Sequence, residues 1–368
     1  MTAIVITSPS RLHFALIDMN AELGRVDGGI GVALNAPPLT IEVYAVDKAV
    51  EREENPEAVV PVLERIRSRI EPELRGHYRV KILTPLPSHV GLGSQTQLSL
   101  SIAKAISVLE NRSYSAVELA KLVGRGGTSG IGTAAFAKGG FILDGGHAFR
   151  KAEAKSMKKQ KNGELKTSFL PSSASTVSPA PVLFQHHLPE NWFFVLAIPD
   201  VKRGAHGPEE VDIFTRYCPV KNEEVGKISR IVLMRILPAV LEKDIDTFAA
   251  SLTALQQIGF KRIEVGLQHD IIRELFSFFD AHALGHGMSS FGPATYAVVE
   301  GEKRAKELAA MTKAFLDAHG IRALVTYSNA NNRGSEVSKK TIVIPKSINH
   351  LITQIYTRLY IKLSSFFF

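Results

Sequence analysis

Three glycine-rich stretches flanked by hydroxyl or guanidinium side chains carry most of the chemistry in this sequence. The first, Pro87-Ser-His-Val-Gly91-Leu-Gly93-Ser94, leads into a helix of small residues, Leu98–Leu109. Glycines let a backbone approach an anion closely, and the N–H groups and dipole at a helix start favour phosphate. Ser94 supplies either a hydroxyl donor or an N-cap. No Gly-Lys-Ser/Thr follows, so this is not a Walker loop. The second stretch, Gly124-Arg125-Gly-Gly-Thr128-Ser129-Gly-Ile-Gly132, offers Arg125 as an anion clamp at another helix start. The third, Gly285-His-Gly-Met-Ser289-Ser290-Phe-Gly-Pro293, supplies further hydroxyls and N–H groups, though a tight helix-to-strand turn would read the same way.

A dense set of charges lies earlier: Arg11, His13, Asp18, Arg25 and Asp27. Chemistry on a multiply phosphorylated sugar needs arginine for phosphate oxygens and carboxylates for Mg²⁺ or a cationic transition state. Asp18 and Asp27 are the candidate Mg²⁺ ligands and, with Arg25 and Arg125, the candidate catalytic residues. A surface hairpin held by salt bridges would contain the same residues. Period two puts Arg11 and His13 on one strand face, where His13 suits a structural role as well as a substrate contact. Asp144-Gly-Gly-His147 and Lys202-Arg203-Gly-Ala-His206 end the inventory. The candidate substrate contacts are Arg11, His13, Gly91, Gly93, Ser94, Gln95, Ser129, His147, Arg203, Ser289 and Ser290. His282 and His286 lack the intervening glutamate of a zincin helix, so zinc is not expected.

These residues need rigid elements to hold them. Ile4–Thr7, Arg11–Ile17 and Leu39–Val46 alternate like strands, with a polar loop over Asp18–Gly31. Helices are predicted over Glu57–Ile70, Ala116–Val123, Thr133–Lys138, Glu223–Leu241, Asp246–Ile258, Leu267–Ala281 and Glu302–His319. Strands are predicted over Tyr78–Leu83, Gly140–Asp144, Trp192–Ile198, Ala294–Val299 and Arg322–Thr326. Residues 1–150 form a first domain, 151–190 a basic, Ser/Pro-rich insert or linker, 191–338 a second domain and 339–368 a tail.

The 368 residues carry a formal charge of +8, but the Lys-rich run 151–166 contributes +4 and the tail +5, leaving −1 elsewhere. The basicity is therefore not spread along a nucleic-acid-binding element, and no nucleic-acid partner is expected. A single cysteine excludes a disulfide scaffold and suits a reducing cytoplasm. No apolar run approaches the ~18 residues of a membrane span, and the N-terminus lacks an export signal, so a cytoplasmic protein without membrane contact is expected.

Pro87–Ser94 matches the Pro-x-x-x-Gly-Leu-Gly-Ser phosphate loop of the GHMP kinase superfamily, which Gly285–Pro293 also resembles. More specifically, Arg11-Leu-His-Phe-Ala-Leu-Ile-Asp-Met-Asn and Leu23-Gly-Arg-Val-Asp-Gly-Gly-Ile-Gly31 resemble the β-ribofuranosylaminobenzene 5′-phosphate synthases, a non-kinase branch. Residues 124–132, Asp144–His147 and Met288–Pro293 are similar too. The resemblance implies an α+β, two-domain GHMP-kinase-like fold. It pairs an N-terminal ribosomal-protein-like domain with a C-terminal ferredoxin-like sandwich. It also implies a homodimer, Mg²⁺, and a place in tetrahydromethanopterin biosynthesis. The implied reaction condenses 5-phosphoribosyl 1-diphosphate with 4-aminobenzoate or 4-hydroxybenzoate, releasing CO₂ and diphosphate. The alternative is an ATP-dependent GHMP small-molecule kinase. Against it stand Gln95, where a second small hydroxyl residue is usual, and a second loop with no Asp where such kinases carry a catalytic one.

Overall fold

The computed structural model describes residues 2–48, 51, 55–69, 76–150, 166–171, 177–202, 204–205 and 207–342. The frame is two antiparallel sheets. Strands β1 (Thr2–Asp18) and β2 (Arg25–Ala45) pair from Ile4↔Val43 to Asp18↔Asp27. The expected loop over Asp18–Gly31 is therefore a short turn, and Arg25–Gly31 belongs to β2. A register shift between His13 and Ala15 interrupts the alternation. This bulge puts His13 and Leu16, three residues apart, on the same cleft-facing side.

β2 is long enough to take two partners end to end. β3 (Tyr78–Thr84) pairs with its C-terminal half and β4 (Phe141–Asp144) with its N-terminal half. The two-residue β5 (His147–Ala148) also pairs with β2, and β6 (Val182–His186) extends the sheet beyond β4. β6 lies inside the segment read as a linker. The final strand, Glu336–Thr341, returns to pair with β1, so the tail does not begin at residue 339. Each added strand covers backbone groups that β4 or β1 would otherwise leave unpaired. Residues 151–165 and 172–176 of the insert and 343–368 of the tail lie outside the described residues.

The second sheet holds β7 (Trp192–Pro199), β8 (Gly285–Met288), β9 (Thr295–Glu300) and β10 (Ala323–Asn329), in the order β10-β7-β9-β8. That is the 4-1-3-2 order of a ferredoxin-like sandwich. Trp192, Phe194, Leu196 and Ile198 of β7 enter a core shared with Phe14 and Phe141 of the first sheet. Val195 and Ala197 point the other way, into a smaller core. Strand period two thus joins both layers.

In the first half the helices are α1 (Val60–Arg69), α2 (Ser94–Leu109), α3 (Ala116–Val123) and α4 (Ile131–Lys138). In the second half they are α5 (Pro208–Tyr217), α6 (Asn222–Ile231), α7 (Leu237–Glu242), α8 (Ile245–Leu255), α9 (Gly259–Gly266), α10 (Asp270–Asp280) and α11 (Glu302–Ala318). The helix expected over 223–241 contains a π-turn, Val232–Ile236, ahead of Pro238, which has no N–H for the preceding turn. Helices α5 and α9 were not anticipated, and both reach the functional cleft. Among the described residues no helix is long and apolar enough to cross a membrane.

Candidate active site

The glycine loops and β1 are knitted into one structure. Arg11 N–H donates to the Leu92 carbonyl and Ala294 N–H to the Val90 carbonyl. Ser290 N–H donates to the His13 carbonyl, and His13 N–H to Ser289 Oγ at 2.9 Å. Ser289 Oγ in turn donates to the Gly91 carbonyl at 2.6 Å. Gly91 sits at φ +95°, and a Cβ there would lie 2.2 Å from the Ser289 carbonyl oxygen, so only glycine fits. Ser289→Ala cuts two of these links and is expected to cost about 1–3 kcal/mol, read as a lowered Tm in thermal denaturation.

Around this junction lies a cleft of about 380 Å³. One end gathers groups able to bind an anion. Gly93 is the N-cap of α2, in the left-handed region, and makes no side-chain cap; Ser94 is the first helical residue rather than the cap. Helix geometry leaves the first-turn amides without intrahelical acceptors. Arg11 lies across Gly93 and donates from Nη1 to the Gly91 carbonyl at 2.6 Å. Arg125 donates from Nη2 to Gln95 Oε1 at 2.8 Å, while its buried Nε has no hydrogen-bond partner among the described residues. Burial lowers both guanidinium groups to about 10, which leaves them charged at neutral pH.

The opposite end is apolar, lined by Leu16, Phe214 and Phe291. Phe214 and Phe291 are backed by Phe260 of α9 in a mutually packed aromatic trio. Between the ends stand His13, Ser129, Ser290, Glu210 and Glu264. Glu264 is ion-paired with buried Lys261, whose Nζ also donates to the Ser290 carbonyl at 3.1 Å. Burial and neighbouring Glu264 push the Glu210 carboxyl up to about 7.

The structure separates residues that the sequence reading grouped together. Arg11, His13, Gly91, Gly93, Ser94, Gln95, Arg125, Ser129 and Ser290 line the cleft, with Ser289 bonded behind them. Asp18, Arg25 and Asp27 line a different cavity, mostly apolar, with Leu143, Leu183 and Leu237. Asp18 Oδ1 caps the turn after β1 by accepting the Asn20 and Ala21 N–H groups. Arg25 donates to the carbonyls of Gly145 and Gly146, both at 2.8 Å. Asp27 accepts from Lys166 Nζ at 3.0 and 2.8 Å, and its Oδ2 lies 2.6 Å from His147 Nδ1. Lys166 was expected on a solvated insert but is only 4% exposed, because it neutralises this buried carboxylate. His147 therefore serves the ion pair and does not line the cleft. Arg203 lies outside the described residues.

The Mg²⁺ ligands expected at Asp18 and Asp27 do not converge on the cleft, and both Asp27 oxygens are already engaged. Among the described residues no group of three or more His, Cys, Asp or Glu side chains could hold a metal. Mg²⁺ needs only one or two carboxylates when substrate phosphates complete its shell, and Glu210, unpaired within the described residues, fits that demand. Sequence reasoning missed Glu210 and Phe214. They lie one turn apart on α5, which carries a readable start: Pro208 at N1 and acids in its first turn.

The comparisons agree with this architecture. Residues 57–140 match the GHMP kinases N terminal domain and 236–318 the GHMP kinases C terminal domain. A homoserine kinase from Cytophaga hutchinsonii superimposes with TM-score 0.62 at 17% identity, covering 91% of this chain and 97% of that one. A mevalonate kinase superimposes with TM-score 0.55 at 15% identity, covering 89% and 99%. At such identities they establish the fold alone. The beta-ribofuranosylphenol 5'-phosphate synthase of Methanothermobacter thermautotrophicus is 43% identical, covering 81% of this chain and 89% of its own. The synthase of the same name from Methanocaldococcus jannaschii is 41% identical, covering 91% and 100%. With relatives this similar over nearly their whole length, the chain belongs to the beta-ribofuranosylphenol 5'-phosphate synthase family of the GHMP kinase superfamily.

Proposed function

We propose that this protein is a decarboxylating phosphoribosyl transferase joining 5-phosphoribosyl 1-diphosphate to 4-hydroxybenzoate, with 4-aminobenzoate as the related acceptor. The carrying observation is a single cleft with an anion-binding end and an aromatic end, in a chain similar to synthases whose name specifies a ribosyl phenol phosphate. Its second glycine loop, Gly124–Gly132, holds no carboxylate to activate an alcohol, which disfavours the kinase alternative.

The bond from ribosyl C1 to diphosphate breaks, and the electron pair leaves with diphosphate. The ring carbon bearing the carboxylate then bonds to C1, helped by electron density from the para oxygen. Loss of CO₂ returns the carbon–carbon electron pair to the ring, so no proton need be pulled from that carbon. Arg11, Arg125 and the α2 amides hold the departing charge. Mg²⁺, when bound, neutralises diphosphate, and Glu210 is the cleft carboxylate that would hold it. Leu16, Phe214 and Phe291 exclude water from the ring-attack site. Phe214→Ala removes one wall and is expected to raise KM for the benzoate roughly tenfold, with less change in KM for the ribosyl donor, in steady-state kinetics. The test of the function is incubation with carboxyl-labelled 4-hydroxybenzoate, phosphoribosyl diphosphate and Mg²⁺, with and without ATP. Labelled CO₂ is expected; its absence alongside ATP consumption would instead favour a kinase.

A homodimer, a cytoplasmic location and a place in tetrahydromethanopterin biosynthesis belong to this same reading. The dimer and the pathway rest on the family resemblance, and the location on the single cysteine.

A further inference from the structure

His13 is a buried side chain without a hydrogen-bond partner among the described residues. It is 5% exposed and lines the cleft, and both ring nitrogens are unpaired there. An unpaired buried imidazole costs free energy unless a ligand completes it. Its surroundings are polar on one side. Ser129 Oγ donates to Asp144 Oδ2 at 3.1 Å, and that oxygen also accepts the Gly130 N–H at 2.8 Å. A Cβ added to Gly29 would lie 3.0 Å from His13 Nε2, 3.3 Å from Ser129 Oγ and 3.4 Å from Asp144 Oδ2. Three hydrogen-bonding atoms thus converge on the bare Cα of one glycine, and His13 and Ser129 open from there into the cleft.

The position of this nook suggests what it takes. Along β1, Arg11 stands at the anion end, Leu16 at the aromatic end and His13 between them. A donor whose phosphates lie on Arg11 and whose reacting carbon faces the acceptor ring has its sugar beside His13. Burial, with the positive charges of Arg11 and Lys261, keeps the imidazole well below its ordinary pKa and therefore neutral. A neutral ring can both accept from and donate to a hydroxyl, and Ser129, its own proton held by Asp144, adds a hydroxyl oxygen that can accept.

We propose that His13 and Ser129, the latter held in place by Asp144, form a sugar-hydroxyl subsite, which holds the ribose C2 hydroxyl of the donor next to the reacting carbon. The subsite rests on the transferase reading above, and binding without turnover separates the two. Isothermal titration calorimetry should show ribose 5-phosphate binding roughly tenfold more tightly than 2-deoxyribose 5-phosphate, the yield of one or two hydrogen bonds. That preference should vanish in His13→Ala and in Gly29→Ala. The latter fills the nook from its floor while keeping the imidazole, which gives way by only a few tenths of an ångström. Inorganic diphosphate binding, expected to persist in both variants, reports that the anion end is folded. Equal affinity for the two sugars in the unaltered protein, or a preference surviving in both variants, overturns the subsite. A sugar preference lost in both variants, in a protein that releases no CO₂ from 4-hydroxybenzoate, overturns the reaction and leaves the subsite standing.

Discussion

Arg11→Ala is expected to lower kcat/KM for phosphoribosyl diphosphate by about 10²–10³-fold with little change in Tm. The guanidinium lies across Gly93 at the start of α2, and among the described residues one of its nitrogens is committed, to the Gly91 carbonyl. That carbonyl keeps its bond from Ser289 Oγ when Arg11 is removed, so the loop retains its anchor. What is lost is charge-assisted contact to phosphate. At about 1.5–3 kcal/mol for each such bond, losing one or two accounts for the expected fall. Lysine should recover only part of it, because a point charge cannot reproduce the planar fork. Steady-state kinetics across a donor titration, beside a thermal melt, checks both halves.

The second large effect concerns stability. Asp27→Ala is expected to destabilise the fold by about 3–5 kcal/mol, because it strands Lys166 beside His147 in the interior. For a chain of this size that amounts to a fall in Tm of about 5 °C in scanning calorimetry. Lys166→Met in the same background should recover part of the loss, since it removes the stranded charge. A Mg²⁺ ligand would behave differently, with Tm nearly unchanged and turnover shifted to higher Mg²⁺. The two roles therefore separate on two instruments.

Much of the anion end was legible in the sequence. Gly91, Gly93 and Ser94 before a helix fix a backbone conformation that glycine spacing makes readable, and Arg125 follows in a second loop of the same kind; all four line the cleft. Arg11 and His13 also fell on one face by strand period alone. The misplaced group was Asp18, Arg25 and Asp27. Charge density near a glycine pair looks the same whether the charges meet a ligand or each other. What distinguished them was Lys166, more than a hundred residues away, in a run whose composition reads as solvated. The aromatic end was hidden for another reason. Apart from Leu16, its walls come from α5 and the turn after β8, backed by α9, short elements whose few apolar residues give no sustained period. The bulge that turns Leu16 toward the cleft likewise leaves no mark in the sequence. The two added strands, β6 and the last strand, β11 (Glu336–Thr341), lay in segments whose lysines, serines and prolines outweighed their alternation.

The measurement that bears most directly on the central claim is the product balance of one reaction. Carboxyl-¹³C 4-hydroxybenzoate and phosphoribosyl diphosphate should give ¹³CO₂, diphosphate and a carbon-linked riboside 5′-phosphate in equal amounts, without ATP. The balance should collapse together in Arg11→Ala. Diphosphate release without CO₂, or turnover that requires ATP and transfers its phosphate, would contradict the account.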